Sequence, residues 1–468
     1  MKRGFKLLGI VIVSSMLFSC GQGAVKPSSL YPKNPYSIPV SEYETSYMTT
    51  TPQVDIFLPN DYKTSGKKYP VLYMHDGQNL NKWMVAENIS QLVMEGLMDE
   101  IIVVGIYCRN ERAFDYLPPA EGLPNQCPSG GLSEYGKFIV EDLKPYIDSH
   151  YPTLPGKEHT ALLGSSFGGI ATYYLTGWMP EVFGYAGVIS PIFRISVDNA
   201  EALNPGLHFS KNIKMYIDGG WIENNYNWWN MIDSMRVTKL WLLQQGLADG
   251  TNLLYFEDPK GMHNEVSWAD RLRNPLLFFF GKADSPLEKI EIGMSPAKIG
   301  LGDESRIYAT AYYADGVRET PFPPKFVSSD QSVLAVDAQG HAKGLKPGKA
   351  TVTIEYKGIT AKEEVTVLGK SVSLMTVKFT VKTPEPVKSM TVKIIAKSGD
   401  DVQGGIVLNK IDGNTWSASV ENKKGAWIEF SIVNESGLKG ILSKDGKSTK
   451  KIVFTANYET EIKITGWK

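Results

Sequence analysis

The chain has 468 residues, 42% hydrophobic and 21% charged, which is room for about three domains and too apolar for a disordered protein. Its 49 basic and 50 acidic side chains nearly cancel, against the basic surplus expected of a nucleic-acid binder. After residue 20 no apolar run reaches the ~20 residues that span a bilayer. The three cysteines, Cys20, Cys108 and Cys127, are too few for a structural zinc cluster or a disulfide-dense scaffold.

Residues 1–20 open with Lys2, Arg3 and Lys6 and run on through a short apolar stretch, Leu7 to Phe18, the pattern of a secretory signal. The ending Leu17-Phe18-Ser19-Cys20-Gly21 resembles a bacterial lipoprotein signal box. That resemblance implies cleavage before Cys20, lipid on that cysteine, and a protein tethered to the bacterial cell envelope without spanning a membrane, either in the periplasm or at the cell surface. Residues 21–41 read as a Pro/Ser-rich linker. Cys108 and Cys127 are then left as a disulfide or as two separate thiols.

Residues 42–283 alternate apolar runs with helical stretches. Strands are expected at Val71–Met74, Ile101–Ile106, Thr160–Leu163, Tyr185–Ile189, Ile213–Ile217 and Asn252–Phe256. A helix is expected over Ser133–Ser149, where Tyr135, Phe138, Ile139, Leu143 and Ile147 recur at helical spacing. Such alternation predicts an α/β fold, a mostly parallel sheet covered on both faces. Two Val/Ile/Thr-rich segments with Gly turns follow, 286–368 and 372–468. They predict two small all-β sandwiches; strands in the second are expected at Thr376–Val381, Thr391–Ile395, Thr415–Val420, Trp427–Ile432, Lys451–Thr455 and Glu461–Ile464.

Chemistry concentrates in Gly164-Ser165-Ser166-Phe167-Gly168, a G-x-S-x-G centred on Ser166 with an apolar strand before it and a helical stretch after it. Ser165 cannot be the centre, because Leu163 and Phe167 stand where the glycines would be. A serine on a sharp strand-to-helix turn needs small neighbours for the backbones to pass, and the helix N-terminus then faces the developing negative charge. A serine hydroxyl needs a base. In this arrangement the chain order is Ser, acid, His, and only His208, His263 and His341 follow Ser166. His341 falls in a β-rich module and His208 precedes the fifth strand. His263 follows the last strand across a loop, where the base belongs.

The acid is expected after strand 213–217, where Asp218 stands at the strand end and Glu223 farther along the loop. Glu223 is the favoured reading; Asp249 and Asp258 are weaker options. The oxyanion hole requires two N–H donors. Phe167 supplies one, and Gln78, in the turn Met74-His75-Asp76-Gly77-Gln78, is expected to supply the other. His75 reads as a brace of that turn. The aromatic cluster Trp221, Tyr226, Trp228 and Trp229 either walls a pocket or packs as a lid.

Several blocks occur in order: Tyr69-Pro-Val-Leu-Tyr-Met-His-Asp-Gly-Gln78, Arg112 with Asp115-Tyr116, Glu141-Asp-Leu-Lys-Pro-Tyr-Ile147, Gly164-Ser-Ser-Phe-Gly-Gly169, Pro180-Glu-Val-Phe183 and His263-Asn-Glu-Val-Ser-Trp268. Together they resemble the esterase family of α/β-hydrolases that includes feruloyl, acetyl-xylan and siderophore esterases. The resemblance covers roughly 45–280. It implies an α/β-hydrolase fold, Ser166 as nucleophile, His263 as base and an acid landing on Glu223, with no metal or organic cofactor. The middle segment resembles a bacterial Ig-like domain of group 2, through Ser328-Ser-Asp330 and Gly344-Leu-Lys-Pro-Gly348. The last segment resembles a starch-binding-type sandwich, in which Trp416 and Trp427 either stack on a sugar or pack in the core. The function these readings imply is a serine esterase acting on feruloyl or acetyl esters of plant polysaccharides or oligosaccharides. The alternatives are a siderophore trilactone esterase and a non-catalytic glycan-binding lipoprotein.

Overall fold

The computed structural model describes residues 30–468 apart from 120–129, 192, 194–206, 224–227, 338, 373, 398–404, 424–426, 443–445 and 454–457. Residues 1–20, read above as a signal with its Cys20, and also Cys127 and Tyr226, lie outside the described residues. Cys108 carries a free thiol.

Eight strands form one sheet: β1 (Tyr36–Ile38), β2 (Val54–Phe57), β3 (Val71–His75), β4 (Ile102–Ile106), β5 (Thr160–Ser165), β6 (Tyr185–Ile189), β7 (Lys214–Gly220) and β8 (Leu253–Asp258). Their order is β1-β2-β4-β3-β5-β6-β7-β8. Neighbours from β4 through β8 run parallel, while β1 and β2 add an antiparallel edge. Because β3 and β4 are buried on both faces, they read as unbroken apolar runs. Alternate residues serve opposite layers. Leu72 and Met74 meet α1 (Val85–Met94) and the C-terminal helices, whereas Val71 and Tyr73 meet the layer opposite.

That opposite layer holds α2 (Arg112–Tyr116), α3 (Leu132–Lys137), α4 (Lys144–His150), α5 (Phe167–Trp178) and α6 (Trp228–Gln244). The helices α7 (Glu265–Arg271) and α8 (Arg273–Phe280) lie with α1. The single helix expected over 133–149 is broken by a π-helical turn, Phe138–Leu143, in which the Lys144 N–H reaches back to Ile139 O. Pro145, in the first turn of α4, has no N–H to continue the regular ladder, and the wider turn precedes it.

Beyond α8 come two further pairs of sheets, each pair closing on its own core. Ile299, Ile307, Leu334 and Val352 are central to the first, and Phe379, Phe430 and Ile432 to the second. Trp416 is only 3% exposed and belongs to the second core, so of its two readings, sugar platform or core packing, its indole takes the second. Trp427 is half-buried under the Lys451 ammonium, 3.9 Å from its ring centroid. The first β-domain closes over the edge of the large sheet. Thr320 N–H donates to Tyr255 O (2.8 Å) and Thr320 Oγ1 accepts from Glu257 N–H (2.8 Å), so β8 has a covered edge.

Candidate active site

The turn from β5 into α5 carries Ser166 at φ 59°, ψ −121°, a conformation unfavourable for any residue with a side chain. The turn persists because its surroundings leave no alternative. Ser166 N–H donates to Ile189 O at the end of β6 (3.0 Å). A Cβ on Gly164 would lie 2.7 Å from the Gly168 carbonyl, and one on Gly169 would lie 2.8 Å from Ile189 O. Phe167 opens α5, so its N–H has no acceptor within the helix and stands at the positive end of the dipole. Across from it, Asp76 adopts a left-handed turn (φ 59°) that starts the one-turn 3₁₀ helix Gly77–Asn79, with Gln78 in its middle. Gly77 permits contact with β4: a Cβ there would fall 2.4 Å from Gly105 C and O.

Arg112 ties these two arms together. Its guanidinium makes two 2.7 Å bonds to Asp76, one from Nε and one from Nη2, and it stacks over the Phe167 ring. His75 is fully buried, and burial pushes its pKa down to about 3, so the imidazole is neutral. Its Nδ1 pairs with Tyr135 OH at 2.8 Å. It braces the turn, as chain order implied.

At the far end of β7, Glu223 and His263 meet. His263 Nδ1 bonds Glu223 Oε2 at 2.9 Å, and the other carboxylate oxygen accepts from Ser190 Oγ (2.5 Å), Gly220 N–H (2.6 Å) and Arg271 Nη2 (3.0 Å). Burial alone would raise the Glu223 carboxyl. The His263, Arg271 and Ser190 contacts outweigh it and hold the pKa below the ordinary value. Asp218, the other acid considered, does not reach His263. Its carboxylate takes Arg271 Nε (2.9 Å) and Tyr216 OH (2.7 Å), and burial pushes its pKa up. Asp218 therefore positions Arg271, which positions Glu223. Asp258 lies 3.7 Å from Arg271, and Asp249 pairs with Lys239. Carboxylates outnumber the guanidinium here, so a positive charge on the neighbouring imidazole would be stabilised.

Glycines let the loops that carry Glu223 and His263 touch: a Cβ on Gly220 would lie 2.2 Å from Gly261 O. Asn264 caps α7 by accepting Ser267 N–H (3.0 Å), and the Trp268 ring meets the His263 ring edge-on at 5.1 Å. Ser166 and His263 are not hydrogen bonded to each other, and the joint between their two regions is the end of β6. Ile189 O holds Ser166, and the next residue, Ser190, holds Glu223 while accepting from Trp268 Nε1 and Arg271.

Ser190 and Arg271 were not anticipated. Ser190 sits in no motif. A signal for Arg271 did exist: a cation among Trp268, Ala269 and Leu272 on an apolar helix face. Trp221 does not wall a pocket. It is 1% exposed and donates through Nε1 to Glu257 (3.0 Å). Trp228 and Trp229 begin α6. His341 is exposed on the first β-domain, paired with Asp337.

Residues 45–274 match the esterase family model whose description is "Putative esterase". The chain is 30% identical over 151 residues to an endo-1,4-beta-xylanase/feruloyl esterase of Xylanibacter ruminicola, covering 29% of this chain and 19% of that protein. It is 26% identical over 138 residues to the uncharacterized protein YbbA of Bacillus subtilis, covering 29% of this chain and 54% of that protein. Against an esterase of Mycobacterium tuberculosis the identity is 26% over 127 residues, 27% of this chain and 26% of that one. The chain thus spans at most 54% of the length of these relatives. Among solved structures, a ferulic acid esterase from the anaerobic fungus Anaeromyces mucronatus is similar at 21% identity and TM-score 0.39, covering 55% of this chain and 92% of that one.

Proposed function

We propose that this chain, with its esterase-family segment over residues 45–274, is a serine carboxylic-ester hydrolase whose nucleophile is Ser166. His263 accepts the Ser166 proton through Nε2 as Oγ attacks the ester carbonyl. The Phe167 and Gln78 amides stabilise the oxyanion. The protonated imidazole then passes its proton to the leaving alcohol, and water repeats the sequence on the acyl-enzyme. Glu223, bonded to Nδ1, fixes the tautomer that leaves Nε2 basic. The observation that carries this reading is the 2.9 Å Glu223–His263 bond, linked through Ser190 and Ile189 at the end of β6 to the strained turn that carries Ser166.

For the substrate we favour a feruloyl or acetyl ester on a plant polysaccharide or oligosaccharide. Support comes from the ordered blocks between Tyr69 and Trp268 and from the name of the Xylanibacter ruminicola relative. The signal box ending in Cys20 and the two β-domains suit an enzyme held at the bacterial envelope by lipid and working on an external polymer. The test is Ser166→Ala assayed on p-nitrophenyl acetate and methyl ferulate, with release of acids from arabinoxylan followed by mass spectrometry. Turnover should fall by roughly six orders of magnitude. Undiminished turnover removes Ser166 from the mechanism, and binding of xylan without any ester cleavage by the parent chain favours the glycan-binding alternative.

A further inference from the structure

The loop that carries Glu223 is held from outside the esterase segment. Trp221, two residues before Glu223, donates its backbone N–H to Asp258 O (2.8 Å), and Ile222 N–H donates to Gly261 O (3.0 Å). The Trp221 indole is wedged between two walls. One is Glu257 at the end of β8, which takes its Nε1 proton. The other is Tyr308 of the first β-domain, whose ring meets the indole edge-to-face at 5.0 Å and 77°. Tyr308 is itself pinned: it lies across Gly293 on the adjacent strand, where a Cβ would come within 2.3 Å of its ring.

Glu257, fully buried, is fixed from the same side. Arg236 grips it with two bonds (2.6 and 2.8 Å) and extends Nη1 to Gln339 O of the β-domain (2.9 Å). Thr320 Oγ1 accepts its N–H. Arg306 of the β-domain sits 6.0 Å over the Trp221 ring and bonds Asp233 of α6 (2.9 Å). A buried carboxylate, a buried guanidinium and a buried indole all face this contact. Without the β-domain they would meet water, and the acid loop would lose its backing.

We infer that the first β-domain is part of the catalytic unit rather than a spacer, with Tyr308 and Thr320 acting as positioning residues that hold the Glu223 loop against His263 through Trp221 and Glu257. This rests on the Ser166–His263–Glu223 reading above. The residues touch no substrate, so their effect belongs in kcat and not in KM for a small ester.

The test uses the full chain and p-nitrophenyl acetate at 25 °C, with far-ultraviolet circular dichroism as the check on folding. Tyr308→Ala is expected to lower kcat about ten- to a hundredfold, as a small misplacement of a catalytic group does, with KM within about twofold. Tyr308→Phe, which keeps the ring against Trp221, is expected to restore kcat. Lys349→Met is the control. It breaks an exposed ion pair with Glu364 (2.7 Å) in the same β-domain, away from Trp221 and Glu257, and should leave kcat unchanged. Unchanged kcat in Tyr308→Ala overturns the inference, as does an equal loss in Lys349→Met or a loss confined to KM. Should Tyr308→Ala not fold, Thr320→Val puts the same question from the Glu257 side. Ser166→Ala separates the two readings: full activity there sinks the mechanism itself, whereas a dead Ser166→Ala beside an unimpaired Tyr308→Ala sinks only the role of the β-domain.

Discussion

The two halves of the site are built on different principles. Around Ser166 the geometry is set by backbones in contact. Gly164, Gly168 and Gly169 let β5, α5 and β6 close on one another, and a neutral His75 fills the space beneath. Around His263 the geometry is set by charge: Arg271, wholly buried, draws Asp218 and Glu223 inward, and Ser190 and Trp268 complete the hydrogen bonds. A site fixed by shape tolerates no extra atom, and a site fixed by charge tolerates no missing one.

The largest test of that contrast is Arg271→Met. The methionine fits the apolar surroundings but strands two carboxylates, and removing one partner of a buried ionic group costs about 3–5 kcal/mol. Urea unfolding followed by tryptophan fluorescence should register that loss, with esterase activity falling alongside. A loss below ~1 kcal/mol would mean that packing, not charge, holds the acid. On the other half, Gly164→Ala adds one methyl group. It would press on the Gly168 backbone and on His75 Cδ2, each at 2.7 Å. Overpacking of this kind costs ~1–3 kcal/mol, again read from urea midpoints. A neutral outcome would show that the elbow has slack.

The same contrast explains what could be read in advance. Contacts between backbones leave a local mark, since the residues that must be small sit two or three positions from the one that must be strained. Ser166 and its strand and helix were therefore legible in nine residues, as were the parallel strands β3 to β8 to within a few positions. Charge networks leave no such mark. Ser190, Asp218, Glu223 and Arg271 meet from three separate stretches; Asp218 and Glu223 had a positional clue and Arg271 a place on an apolar helix face, but nothing local showed that the four meet. The strand β2, paired between β1 and β4, escaped because Asp55 interrupts its apolar run. In the fold that carboxylate is matched by Ser37 Oγ (2.6 Å) and Tyr107 OH (2.8 Å) from neighbouring chain segments, which no local pattern reveals. Trp416 stayed open between two readings, because an aromatic residue on a short strand looks the same whether it faces a ligand or the core.

Acid should separate the two halves by pH. Folded His75 stays neutral down to about 3, whereas an unfolded histidine takes up a proton below ~6.5. Between these values the unfolded chain binds the extra proton. The stability tied to a neutral His75 is thus fully present above pH ~6.5 and drains away as the pH falls, at up to ~1.4 kcal/mol per unit. Glu223 works lower. Its folded pKa is depressed, so its contribution is present above the unfolded carboxylate value of ~4.3 and is lost only as the pH drops through and below it. Thermal unfolding of the parent chain and of His75→Gln between pH 7 and 4 resolves the pair. The variant, already weakened at pH 7 by the poorer fit to Tyr135, should show the flatter slope from about 6.5 to 4.5, with the two curves converging toward acid. Parallel curves would mean that the histidine beneath the elbow is not kept neutral by its burial, and that the shape-fitted half of the site depends on charge as much as the other.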